Sequence, residues 1–269
     1  MNTTPDYTAK KISSSIVIDG DVKKEVWKNA RWSRRFVDLV TAGTALYNTR
    51  SAILWNDTHL YLAFYAEERF VEAKLTKRGD IIFLENDLEL FIDGGDCYYE
   101  FEVNALNTVY EVFFIWKDAY TKGSKFDIPV FDVHQSDAYT FGGNDDRADA
   151  SFWKGTHPRG IRWAFPNYEM PGLQSAVKID GTLNDNSDID EGWSLEIAIP
   201  WKSLELLANG RSLPPENGDV WSMFLGRFEK LVQNGIEVQP HPATALNSHG
   251  VYDAHLPDKW SKIAFIDEK

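Results

Sequence analysis

Apolar residues recur at every second position in this chain, in short runs bounded by Gly, Asn and Asp. A period of two sends successive side chains to opposite faces of an extended backbone, so the pattern demands sheet. In residues 59–66, Leu60, Leu62 and Phe64 share one face while Tyr61, Ala63 and Tyr65 share the other. The turn Asn56-Asp57-Thr58 leads into this run from residues 51–55, which predicts a hairpin. Similar runs predict strands at 16–19, 87–93, 98–104, 109–116, 176–179, 193–199, 221–228 and 263–266. So many short strands fit two packed antiparallel sheets, an all-β sandwich. Helical signals are confined to residues 23–29 and to the segment after Pro200, where Leu204 and Leu207 share a face before Gly210 stops it.

The 269 residues are read as one domain, because β-sandwiches with long loops reach this length. A 43% hydrophobic content supplies a sizeable core, and no apolar run approaches the ~18 residues that a membrane-spanning helix needs. The formal charge of -13 repels phosphate backbones and anionic lipid, which argues against nucleic acid and membrane partners and favours a neutral or cationic ligand. Cys97, the only cysteine, excludes an internal disulfide and a thiolate metal cluster. The opening MNTTPDYTAKK lacks the apolar core of a signal peptide, so the chain is expected in the cytoplasm, or secreted or periplasmic where a leader has been trimmed. Residues 118–175 have weak periodicity and many Gly, Asp and Pro residues, yet they carry aromatics from Tyr120 through Trp153, Trp163 and Phe165 to Tyr168. Disordered segments are poor in aromatics, so this stretch is read as a long ordered insertion packed on or over the sandwich.

Seven blocks occur in order: VIDGDVKKEVWKNA, AILWNDTHLYLAFYAEE, ENDLELFID, YYEFEVNALNTVYEVF, AVKIDGTLNDNSDIDEGWSLEIAIPWKSL, PPENGDVWSMFLGRFEK and HLPDKWSKIAFID. Together, from Ile16 to Asp267, they resemble the family 9 carbohydrate-binding modules, and more closely the longer bacterial family 9-like proteins. The resemblance implies a jelly-roll-like β-sandwich without catalytic activity that serves polysaccharide catabolism. Its ligand would be a glycan or oligosaccharide, often met at a chain end and held by an aromatic clamp and a ring of polar side chains. No cofactor is required, and the oligomeric state is left open.

The candidate binding residues lie on two of the predicted strands. Leu88, Leu90 and Ile92 face one way and Asp87, Glu89 and Phe91 the other. In the next run Tyr99, Phe101 and Val103 alternate with Tyr98, Glu100, Glu102 and Asn104, so acidic and amide groups gather on one face. Such a row is ordinarily a solvated sheet face. The resemblance instead assigns sugar contacts to Glu89 and Asn104. It also exposes departures, since Glu102 stands where the best-known sugar binders have Arg. One clamp tryptophan aligns with Phe83, and the other falls near Ala254, with Tyr252 and His255 as neighbours. Trp153, Trp163 or Tyr168 of the insertion would be alternative clamp planes. Arg227 follows Trp221, Met223 and Leu225 on one strand face and would either pair with a sheet carboxylate or bind a ligand edge. Trp27, Trp55, Trp193, Trp201 and Trp260 are read as packing residues.

The loop LNDNSDIDEG offers Asp185, Asp188 and Asp190 as oxygen ligands for a structural calcium. It is not an EF-hand, because Ile189 and Leu195 occupy the positions of its Gly and Glu. Three rival functions are a glycoside-active enzyme with two carboxylates about 5 to 10 Å apart, a haem carrier and a purely structural or interaction sandwich. The sequence has no G-x-S-x-G, H-E-x-x-H or Gly-rich phosphate loop, and no spacing pairs Met170 or Met223 with one of the six histidines.

Overall fold

The computed structural model describes residues 4–143 and 157–268, so Trp153 lies outside the described residues. The first strands are β1 (Tyr7–Lys11), β2 (Val37–Asp38), β3 (Thr49–Trp55) and β4 (His59–Glu67). Consecutive hairpins join β5 (Leu88–Asp93), β6 (Cys97–Val103) and β7 (Val109–Trp116). They are followed by β8 (Tyr139–Phe141), β9 (Arg162–Phe165), β10 (Gln174–Asp180) and β11 (Gly192–Pro200). The last strands are β12 (Val220–Phe228), β13 (Val232–Gln233), β14 (Ile236–Glu237), β15 (Ala243–Ala245) and β16 (Ser261–Ile266). Helical structure comprises one short helix, Glu25–Lys28, and brief 3-10 turns, including Trp201–Leu207 after Pro200.

Hydrogen bonding runs in the order β10-β11-β4-β3-β1-β16-β12-β5-β6-β7-β9-β8. All these pairs are antiparallel except those of β1, which lies parallel to both β3 and β16 and so joins two layers. Inward residues of β4 (Leu60, Leu62, Phe64) and β11 (Leu195, Ile197) share one core with Leu88, Leu90 and Ile92 of β5 and Tyr99 and Phe101 of β6. The molecule is therefore an antiparallel β-sandwich. Each of these large apolar side chains contributes roughly 1.5–3 kcal/mol by leaving water.

Residues 16–19 are not a strand, and the first strand instead lies earlier, at β1. The N–H groups of Asp19 and Gly20 donate to Glu196 Oε2 at 2.9 and 2.8 Å, so a side chain satisfies backbone that a partner strand would otherwise satisfy. Ile16 packs with Trp27 against the outer face of β3 and β4. The insertion is built into the sandwich, since Phe126, Phe131, Phe165 and Tyr168 enter the main core and β9 extends the sheet beyond β7. A second apolar cluster lies on the opposite face of β5, β6 and β12, where Phe91, Tyr98, Phe114 and Phe224 are covered by Tyr252, Ala254 and Trp260. Beside that cover the outer face opens into a cavity.

Candidate functional site

The cavity has a volume of about 880 Å³, and its floor is set by strand register. β5 and β6 pair Glu89 with Glu102 and Phe91 with Glu100, while β6 and β7 pair Glu102 with Tyr110. Alternation places Leu88, Leu90 and Ile92 in the core, which turns Glu89 and Phe91 outward to the cavity. Phe83 and Leu84 of the 3-10 turn Ile82–Leu84 form one wall, with Tyr139 and Phe141 of β8 on another. Tyr252 and His255 line it from the C-terminal segment, and Phe228 and Lys230 from the end of β12.

Three carboxylates face this space from buried positions: Glu89, Glu100 and Glu102 are 3%, 3% and 2% exposed. Like charges directly opposed across a strand pair repel, and burial strengthens the repulsion. Burial pushes the Glu100 carboxyl up to about 7. Glu102 is held well above the usual range by burial and by the nearby Glu100, Glu89 and Asp87. Its Oε2 accepts the Phe83 N–H at 3.0 Å, which ties the wall turn to the floor. Asp87 lies beneath, fully buried, and one of its oxygens accepts the Phe228 N–H at 2.9 Å. Burial raises this carboxyl too, with the Phe228 N–H and Arg227 opposing the rise. One oxygen each from Asp87, Glu89 and Glu102 lie within 4.8 Å of one another, a spacing that suits a hard cation. His255 is positioned by aromatic packing against Phe91 and Phe141, and its Nδ1 is hydrogen-bonded to the Tyr98 hydroxyl at 3.1 Å.

Of the residues singled out in the sequence, Phe83, Glu89, Glu102, Tyr252 and His255 come together around the cavity. Asn104 and Arg227 do not. Asn104 follows β6 at a turn, where its Nδ2 donates to Leu75 O and Glu85 Oε2 and its Oδ1 accepts the N–H groups of Leu106 and Thr108. All of its polar capacity in that fully buried position goes to the fold. Arg227 has the parity of Met223 and Leu225 and therefore points into the sandwich, away from the cavity. It donates to Thr49 Oγ1, Glu67 O and Glu68 Oε2 and pairs with Glu229 at 3.3 Å, so carboxylate pairing is the role it takes.

Other candidates are dispersed. Trp163 is half-buried beside Lys117, and Tyr168 packs in the main core; neither lines the cavity. The insertion contributes Tyr139 and Phe141 instead. Asp190 accepts the N–H groups of Val71 and Thr182, Asp185 accepts that of Ser187, and Asp188 is exposed. These three do not converge, and among the described residues the one metal-like convergence of three groups is Asp87, Glu89 and Glu102. Met170 and Met223 are core residues, as are the five packing tryptophans, none more than 2% exposed. Glu100, Tyr110 and Phe114 were missed as site residues, although their outward parity on β6 and β7 was a usable signal. Glu237 and His241 reach the cavity from the 229–242 region, where no periodicity marks them.

No protein-family model matches the chain, and no curated protein matches it. Solved structures do. A family 9 carbohydrate-binding module from Caldicellulosiruptor kristjanssonii in complex with cellotriose superposes with a TM-score of 0.53 at 12% identity, covering 98% of this chain and 94% of that one. The complex of a family 9 module from the same organism with glucose gives 0.53 at 12% identity, covering 97% of each chain. A candidate carbohydrate-binding protein of Bacteroides uniformis gives 0.57 at 12% identity, covering 96% and 97%. The chain has the fold of the family 9 carbohydrate-binding modules.

Proposed function

We propose that this chain is a non-catalytic binder of a glycan or oligosaccharide, which it holds in the cavity on the outer face of β5, β6 and β7. The observation that carries this reading is the cavity itself, with aromatic walls over a floor of hydrogen-bond acceptors. Pyranose rings present C–H groups on their faces and hydroxyls at their edges, so they need both surfaces at once. A volume of about 880 Å³ falls within the range of small-molecule sites. Support also comes from the fold, since two of the similar structures hold cellotriose and glucose.

A glycan array followed by calorimetric titration of the best ligand tests the reading. Glu89→Ala removes a buried acceptor from the floor and is expected to weaken binding about 10- to 100-fold, the value of a hydrogen bond to a charged group. Circular dichroism checks that the variant is folded. Absence of binding to every saccharide on the array, or full affinity in a folded Glu89→Ala protein, rejects the assignment. A hydrolase reading rests on one feature, the approach of Glu89 and Glu102 oxygens to within 4.8 Å, near the ~5–5.5 Å carboxyl separation of retaining glycosidases. Release of reducing ends that disappears in Glu89→Gln would establish catalysis in place of simple binding.

A further inference from the structure

We infer that the saccharide carries a protonated amino group, and that Glu89, Glu100 and Glu102 receive its ammonium on the cavity floor. This inference rests on the proposed sugar-binding role and names the class of sugar.

Charge balance is the first argument. Four carboxylates line the cavity, those of Glu89, Glu100, Glu102 and Glu237, against one ammonium, that of Lys230, which is itself paired with Glu237 at 3.3 Å. A neutral sugar would leave this excess in place. Among the described residues neither Glu100 nor Glu102 forms an ion pair with Lys or Arg. The nearest cationic candidate is His255 Nδ1, 3.9 Å from Glu100 Oε2, and that oxygen is buried without a hydrogen-bond partner among the described residues. An acceptor in this condition loses solvation without compensation, and a ligand donor would restore it.

The walls supply the second argument. Phe83, Phe91, Tyr110, Phe114 and Phe141 surround the carboxylates, and aromatic faces attract a cation as well as packing on sugar C–H groups. A bare metal ion would gain little from such rings, and it would leave most of an organic-sized cavity unfilled. The upward shifts of Glu100 and Glu102 agree with a floor that lacks a cationic partner. The net charge of -13 would draw a cationic sugar toward the protein from solution.

The test is calorimetric titration of the full chain with three trisaccharides: the β-1,4 trimer of glucosamine, its N-acetylated counterpart and cellotriose, at a pH that keeps the amine protonated. The glucosamine trimer is expected to bind at least tenfold more tightly than the other two. That preference should shrink with added salt and in Glu102→Gln and Glu100→Gln. The salt series on the parent protein keeps the test decisive even if a variant fails to fold. Equal or tighter binding of a neutral trimer overturns the ammonium inference while leaving the sugar reading intact. If no trimer binds and a broad glycan array is also silent, both fall. Calcium alone binding through Glu102, with neutral sugars then binding only in its presence, would assign the carboxylates to a metal and overturn the inference.

Discussion

Glu100 and His249 are both buried, and burial shifts both toward their uncharged forms, with opposite consequences for stability. Glu100 rises from 4.5 to about 7, so the folded chain keeps a proton that the unfolded chain has lost. Its contribution is complete below about pH 4.5 and disappears as pH rises through 7. His249 falls from 6.5 to about 4, so the unfolded chain binds the extra proton and stability is lost as pH drops across that interval. The two oppose each other between about pH 4.5 and 6.5, which would hide either one in the parent's melting curve. Glu100→Gln separates them: its Tm relative to the parent should rise steadily from pH 5 to pH 8. A difference that stays flat with pH would show that Glu100 is not the titrating group. This residue was legible in sequence only as one member of a polar row. Its burial depends on Tyr139, Phe141 and the 252–255 segment, which arrive from far along the chain.

Strand alternation was enough to separate inner from outer faces on β5, β6 and β12, and that parity alone placed Arg227 inside and Glu89 outside. It does not show where a strand ends, and Asn104 was misplaced for that reason. This side chain sits one residue past β6 and joins the β6–β7 turn to Leu75 and Glu85 through four hydrogen bonds. Asn104→Ala should therefore cost about 2 to 4 kcal/mol, at about 0.5–1.5 kcal/mol per bond, measured as a shift in denaturant midpoint. Ligand affinity should be unchanged in the folded variant, and a large loss of affinity at unchanged stability would return Asn104 to the binding surface. The error at residues 16–19 has a similar origin, because Glu196 on β11 supplies the hydrogen bonds that a neighbouring strand would have supplied. β11 also starts at a position only glycine tolerates: Gly192 has φ of +132°, and a side chain there would collide with the Ala66 carbonyl on β4.

At the scale of the molecule, the β-sandwich was readable because the alternating runs dominate the chain, whereas the link between its layers was not. β1 has only Tyr7 and Ala9 as buried apolar residues, yet it pairs with Ile263 to Ile266 on one side and with Leu54 and Trp55 on the other. Nothing local in YTAKK announces two partners from opposite ends of the sequence. Removing residues 1–11 should leave facing edges on β3 and β16 unpaired, lower Tm by at least 10 °C and promote association detectable by size-exclusion chromatography. A truncated protein that stays monomeric and melts within 2 °C of the parent would show that β1 is dispensable. The seam also has a temporal meaning. Tyr7 meets Ile263 only after a further stretch on the order of 250 residues has been made. At about 5–20 residues per second, the N-terminal strand waits roughly 10–50 s during synthesis for that partner. The last step of sheet closure therefore belongs to the period after residue 266 leaves the ribosome, and until then the nascent chain carries an open edge that a holding chaperone would recognise.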